Sequence, residues 1–463
     1  MNWNNKPSTA KQEHGRRKFL SQLTTGTLGL ATTSSAPAFA SIFSKRNDRL
    51  AILGGIPVRT AGRMGPTWPY VDQQMIEAMI KTTKSGIWSR IQSSNSQVSE
   101  FEKEFAKQIG VGYCVGTGSG TQALSTCVEA LGIGPGDEVI TSPYTDMGTI
   151  SSILTSRALP VMVDLDLESY QLDPDEVEKK VNKNTKAIMP VHIMGLPADM
   201  ERIMAIAKKH KLKVIEDSCQ APFARYQGKA IGTIGDLGCF SFQASKAIAC
   251  GEGGAVVGND EVLMDRCFTV QNRGASRKGE NVTIGPKYRM TEFEATLLLN
   301  QLPGAKERFI KRNENANFLT SQLKGFPGLV PQKQYPGTES GSYYHYAWSY
   351  HKEHFDGVDR AIFIKAMAAE GVGVGSYIKN GLHREPWVDH ILGLREYQAM
   401  YSADRLKDYK EEIHLPNCDR ICNETLVSFW GSGSLLGTTE EMDQIIAAIM
   451  KIYENRDQLK KIS

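Results

Sequence analysis

The chain has no uninterrupted run of about eighteen apolar residues, so its sequence offers no candidate for a membrane-spanning helix. It also has little excess of either charge. Over 463 residues, 54 Lys and Arg stand against 51 Asp and Glu, a formal charge of +3. That is too small to argue for nucleic acid or an anionic membrane as partner. Beyond the first forty residues there is no internal repeat and no long low-complexity segment. The cysteines Cys114, Cys127, Cys219, Cys239, Cys250, Cys267, Cys418 and Cys422 show no metal-binding spacing, and several lie in apolar runs, as reduced core thiols do. Only Cys418 and Cys422 invite pairing, and on a helix their spacing makes them neighbours rather than a bridge. What remains is ordinary globular composition, 41% hydrophobic and 23% charged. The length suffices for two domains and a sizeable core.

Residues 1–40 differ from the rest. Arg16-Arg17-Lys18 precedes a mildly apolar stretch rich in Thr, Gly, Ser and Ala, which closes on Ala38-Phe39-Ala40. Paired arginines, a weakly hydrophobic core and small residues at a cleavage point are the parts of a twin-arginine export signal; the alternative is an N-terminal tail. The expectation is a signal over 1–40 and a mature, periplasmic or extracellular protein starting near Ser41. That route carries proteins already folded, often around a cofactor.

The stretch 214–257 organises everything after it. One apolar run closes on Glu216-Asp217; a second, Cys239–Phe242, is followed by Lys246 and by Gly251-Glu252-Gly253-Gly254. Both read as buried strands, and ligands of open α/β sheets gather at the carboxyl ends of strands. An acid and a lysine so placed suit pyridoxal phosphate, the lysine holding the cofactor as an imine and the carboxylate keeping its ring nitrogen protonated. A solvated Asp and a loop Lys are the bland alternative.

Around this stretch strand and helix alternate. Strands are expected at 138–141, 160–164, 187–192 and 212–215, with helices at 99–109, about 121–131, 148–156, 173–182 and 199–210. This pattern predicts a mostly parallel sheet covered on both faces. Gly120-Thr121, at the start of a helix after the strand end Val115–Gly118, is a candidate phosphate site, though Ser-Gly-Thr is also an ordinary helix cap. His192 at a strand end either faces the cofactor or is a hydrogen-bonded structural histidine. After Asp260 the pattern is mainly helical as far as Leu323. A smaller α+β unit follows, with an aromatic strand at 343–350 and helices at 360–369 and 439–455. The expected domains are 41–325 (arm and large domain) and 326–463 (small domain). Trp68 and Trp88 of the arm are either packing residues or a pocket wall.

With the motifs SGTQAL, GPGDEVI, PVHIMGLPADM, VIEDSCQA, GDLGCFSFQASK, GEGGAVV and KYRMTEFEA in this order, the chain resembles the DegT/DnrJ/StrS family of pyridoxal phosphate-dependent sugar aminotransferases. The resemblance runs from about Ala51 to Asn455, and the wording is nearest to members acting on keto-cyclitols such as inosose. It implies fold type I, aspartate aminotransferase-like, and homodimers with shared active sites. Lys246 matches the Schiff-base lysine, Asp217 the acid on the ring nitrogen, Gln220 the partner of the ring hydroxyl, and Ser241, Gly120 and Thr121 phosphate ligands. Two positions depart from the family pattern. Lys287 stands where an asparagine usually reaches the neighbouring subunit's phosphate, and could act as a point-charge ligand or face solvent. Asp146 stands where an aromatic ring usually stacks on the cofactor, with Tyr144 or Met147 as possible substitutes. The implied reaction is transfer of an amino group from glutamate or glutamine to a keto-sugar or keto-cyclitol. Alternatives are a sugar dehydratase, whose histidine replaces the lysine, and a non-catalytic exported sugar-binding or sensory protein. Pocket candidates are Trp88, Tyr343, His345, Tyr377 and His383, each also readable as packing.

Overall fold

The structure, a computed structural model, describes residues 49–60 and 62–462; the expected export signal over 1–40 lies outside them. Two helices lead in, Gln73–Ser85 (α1) and Gln97–Ile109 (α2). Each starts on a side-chain cap, Asp72 or Ser96, that accepts a first-turn N–H. The alternating section then runs Tyr113–Thr117 (β1), Gly120–Ala130 (α3), Glu138–Thr141 (β2), Met147–Thr155 (α4), Leu159–Met162 (β3), Pro174–Lys180 (α5), Thr185–Met189 (β4), Met200–His210 (α6) and Lys213–Asp217 (β5). Leu237–Ser241 (β6) and Gly254–Gly258 (β7) complete the sheet.

Its strand order is β1-β7-β6-β5-β4-β2-β3. Strands β2 to β6 pair in parallel, whereas β7 runs antiparallel to both β6 and β1. Successive side chains on a strand point to opposite faces, and both faces here are covered. Val139, Ala187, Ile215 and Val256 share one core with Leu124 and Cys127 of α3. Their neighbours Ile140, Ile188 and Val214 share another with Ile203 and Ala207 of α6. Burial of each such aliphatic side chain contributes about 1.5–3 kcal/mol. Two-sided burial explains why these strands read as continuous apolar runs.

Helices Glu261–Gln271 (α7), Glu292–Gln301 (α8) and Ala305–Leu323 (α9) follow. Past residue 325 comes a second sheet, antiparallel, of Leu329–Pro331 (β8), His345–Tyr350 (β9) and Leu426–Trp430 (β10). Arg360–Ala369 (α10) lies within this segment. Trp348 and Phe429 of the second sheet pack with Leu319 of α9, Phe363 of α10, and Ile445 and Ile449. Between β9 and β10 lie three helices that the sequence pattern did not indicate, Trp387–Gly393 (α11), Arg395–Met400 (α12) and Ala403–Glu412 (α13). Their buried residues are Val388, Ile391, Tyr397, Leu406 and Tyr409, and the tyrosines tie them to the first sheet. The hydroxyls of Tyr397, Tyr401 and Tyr409 donate to the carbonyls of Ala158, Asp137 and Pro160. Residues after 325 thus build the second sheet and also close the β3 edge of the first. A final helix, Thr439–Glu454 (α14), carries Ile445 and Ile449 and starts on a capping box of Thr438 and Glu441.

Candidate active site

The ladder across β1, β7 and β6 sets Thr117, Gly254 and Ser241 side by side. Immediately after Thr117 the chain turns into α3, and Ser119 Oγ accepts the Gln122 N–H. This turn crosses the end of β7 so closely that glycine is required at two points. A Cβ on Gly254 would stand 2.2 Å from the Ser119 carbonyl oxygen, and one on Gly120 would stand 2.7 Å from Ser241 Cβ. The first turn of α3, with Thr121, thus lies against Ser241 at this end of the sheet. Such a surface binds phosphate through hydrogen bonds and the positive end of the helix dipole.

Asp217 ends β5 and is buried. Thr149 of α4 donates its hydroxyl to Oδ2 at 2.7 Å, and the Cys219 N–H reaches Oδ1 at 3.2 Å. Glu216, one residue earlier, points to the other face. It accepts N–H groups of Gly232, Ile234 and Gly235 at 2.6–2.8 Å and faces His192 Nε2 at 3.2 Å. His192 Nδ1 accepts the Ala198 N–H, so the ring's proton sits on Nε2 toward Glu216. His192 is therefore a structural histidine, and not one that faces the site.

Lys246 lies on the loop between β6 and β7, almost wholly buried. Its Nζ stands 4.1 Å from the centre of the Tyr344 ring. Among the described residues no carboxylate comes within ion-pair distance of it. Burial, then the Asp217 charge, pushes the Cys219 thiol up, while Lys246 pulls it down. Gln220 is fixed at both ends, its oxygen accepting the Met194 N–H at 2.8 Å and its nitrogen donating to the Tyr377 hydroxyl at 3.0 Å. His345 meets Tyr377 at a ring separation of 4.4 Å and bonds Ser428 Oγ. Burial, then the Lys246 charge, pushes the His345 imidazole down to about 3. It is neutral at physiological pH.

Of the residues singled out in the sequence, the structure gathers Gly120, Thr121, Asp217, Gln220, Ser241, Lys246, His345 and Tyr377. The others lie elsewhere on the chain. Trp88 is half exposed, donates to the Thr83 carbonyl and packs on Phe293. Tyr343 turns into the core around the second sheet, its hydroxyl bonded to Gln334. His383 is a packing residue that faces Asp419, which Arg384 also holds. Lys287 is exposed, on a bridge to Asn272. Asp146 caps α4 through the Gly148 N–H. Tyr144 is sealed in the core, bonded to the Ile378 N–H, and Met147 packs against the same core. Tyr144 is thus unavailable to cover a ring. Tyr344 is the residue that sequence reasoning missed. Tyr343, at φ 51°, breaks the pleat just before β9, so strand alternation does not carry through it to tell which way Tyr344 faces.

An anion-binding helix end, a buried oriented carboxylate and an unpaired buried amine fit pyridoxal phosphate by chemistry: phosphate to the first, ring nitrogen to the second, aldehyde to the third. Over residues 69–430 the chain matches the model of the DegT/DnrJ/EryC1/StrS aminotransferase family. It is 33% identical over 426 residues to the L-glutamine:2-deoxy-scyllo-inosose aminotransferase of Streptoalloteichus tenebrarius, covering 89% of this chain and 99% of that protein. To the protein of the same name from Streptomyces paromomycinus it is 35% identical over 428 residues, covering 88% and 98%. An aminotransferase structure from Psychrobacter cryohalolentis superimposes with a TM-score of 0.74 at 27% identity, covering 85% of this chain and 100% of that one.

Proposed function

The chain belongs to the DegT/DnrJ/EryC1/StrS aminotransferase family, and on that premise we propose which groups it exchanges and where it does so. It is a pyridoxal 5′-phosphate-dependent aminotransferase of fold type I. The acceptor we assign is a keto-cyclitol or keto-sugar, and the donor is glutamine, with glutamate the second candidate. Support comes from the two relatives named for glutamine and an inosose, matched over nearly their full length. The observation that carries the reading is a Thr149-oriented Asp217 together with a buried Lys246 that has no carboxylate partner among the described residues.

When bound, the cofactor supplies an electron-accepting ring that stabilises negative charge on the carbon bearing the transferred amine. The chain's residues do the rest. First-turn N–H groups of α3, with Thr121 and Ser241, would hold the phosphate. Asp217 would keep a proton on the ring nitrogen and lend its charge to the reacting state. Lys246 Nζ, freed as an amine, takes the proton from the donor's amine-bearing carbon; a positioned base of this kind contributes about 10²- to 10⁴-fold. A lysine at position 246 separates this chain from the histidine-bearing dehydratases. The test is a spectrum of the protein loaded with pyridoxal phosphate. L-glutamine alone should bleach the visible band and 2-deoxy-scyllo-inosose should restore it; a band indifferent to both would leave only a binding protein.

Two further parts of the proposal concern assembly and address. Val71, Ile76 and Ile80 are exposed around an apolar groove of about 410 Å³ that α1 forms with Leu297. The loop bearing Lys287 exposes Val282 and Ile284. Exposed apolar surface of this kind marks contact sites, and we assign it to a second copy of the chain, with Lys287 reaching the partner's phosphate. Light scattering should give twice the chain mass. Arg16-Arg17 and Ala38-Phe39-Ala40 support export by the twin-arginine route, which replacement of both arginines by lysine should abolish in a fractionation assay.

A further inference from the structure

Tyr344 stands beside the reacting amine in a way that ordinary packing does not require. Its hydroxyl lies 2.9 Å from Ser245 Oγ, which donates in turn to Gln243 Oε1, so the tyrosine proton points to the serine. The Trp430 indole N–H holds the Ser245 carbonyl at 2.9 Å. The ring is thereby tied to the residue that precedes Lys246. Tyr377 and His345 meet it nearly at right angles, at 86° and 72°, and Lys246 Nζ lies over it at 4.1 Å.

We propose that Tyr344 is a positioning residue for transamination, its ring face being the place where the Lys246 nitrogen is held before and after it is displaced. The proposal rests on the transaminase reading and adds to it a residue and a role. An aromatic face attracts a cationic nitrogen electrostatically, yet it has no lone pair to remove the proton, as a carboxylate would. It can therefore keep the nitrogen close to the reacting carbons without competing for the proton that the nitrogen must carry. The other ionisable groups around the amine are Asp217, Cys219, His345 and Tyr377. Of these His345 is held neutral by burial, so it presents no second cation to the ring.

The experiment is a pH titration of the visible band of the full-length, cofactor-loaded protein, which follows the proton on the lysine nitrogen. Removing a face that favours the cationic form should lower the midpoint. Tyr344→Leu should shift it down by about half to one pH unit and slow bleaching by glutamine. Tyr344→Phe keeps the face and should leave the midpoint in place; Tyr344→Met is a second aliphatic variant should the leucine protein not fold. An unchanged midpoint in the aliphatic variants overturns the proposal. So does a Phe variant that shifts as far as Leu, because the tie to Ser245 would then be what matters. A wild-type protein that shows no visible band is the failure of the transaminase reading itself, and the proposal falls with it.

Discussion

Glu216 and Asp217 are adjacent on β5 and almost equally buried, yet their surroundings differ completely. Glu216 accepts three N–H groups and faces a histidine whose other nitrogen is also bonded. Asp217 has one hydroxyl and one N–H, and near it lie Lys246, which has no carboxylate partner among the described residues, and the first turn of α3. A strand end thus builds two things at once, because alternate residues face opposite ways. On one face a saturated carboxylate staples the 232–235 turn to the sheet; on the other an unsaturated one is kept for a ligand. A buried charge with all its bonds made is structure, whereas one with capacity left over points to a partner that is still to come.

This contrast can be broken most sharply at the lysine. Lys246→Ala should lower turnover by at least about 10³-fold and remove the visible band, with little change in thermal midpoint. Next, Asp217→Asn should cost about 10²-fold in turnover while leaving unfolding by denaturant nearly unchanged. Glu216→Gln should do the reverse, losing about 2–3 kcal/mol of stability with turnover per folded molecule kept. If this variant loses turnover while keeping its stability, the two faces are not separate. The smallest effect concerns His345. It titrates near 6.5 when unfolded and near 3 when folded, so below pH 6.5 the unfolded chain binds a proton that the folded chain does not. Stability is therefore lost as pH falls from 6.5 toward 3, by about 1 kcal/mol between pH 7 and 5.5. His345→Gln should flatten that slope in paired denaturant titrations.

Much of the fold could be read from the residues because the sheet is buried on both sides. The strand 138–141 and the helix 360–369 are found where the apolar pattern placed them, and Asp217 and Lys246 stand at or beyond strand ends. What could not be read depends on partners far apart in sequence. Nothing near Glu216 announces that Gly232, Ile234 and Gly235 saturate it, and nothing near Asp217 announces Thr149. Helices α11–α13 escaped because each is short and buries only one or two residues, too few to set a helical period, while Tyr397, Tyr401 and Tyr409 bond carbonyls far away in sequence. His383, Tyr343 and Trp88 carry suitable chemistry, but the chain turns each of them into packing or toward solvent.

The loop that bears Lys246 is itself closed by backbone bonds. Phe242 and Gly253 are joined at 2.8 Å, Ala244 and Gly251 at 2.9 Å, and Lys246 N–H bonds the Gln243 carbonyl. The hinge for a shuttling nitrogen is then not the main chain at all. In the proposed reaction it would be the methylene stem of Lys246 that carries the nitrogen away from the Tyr344 ring.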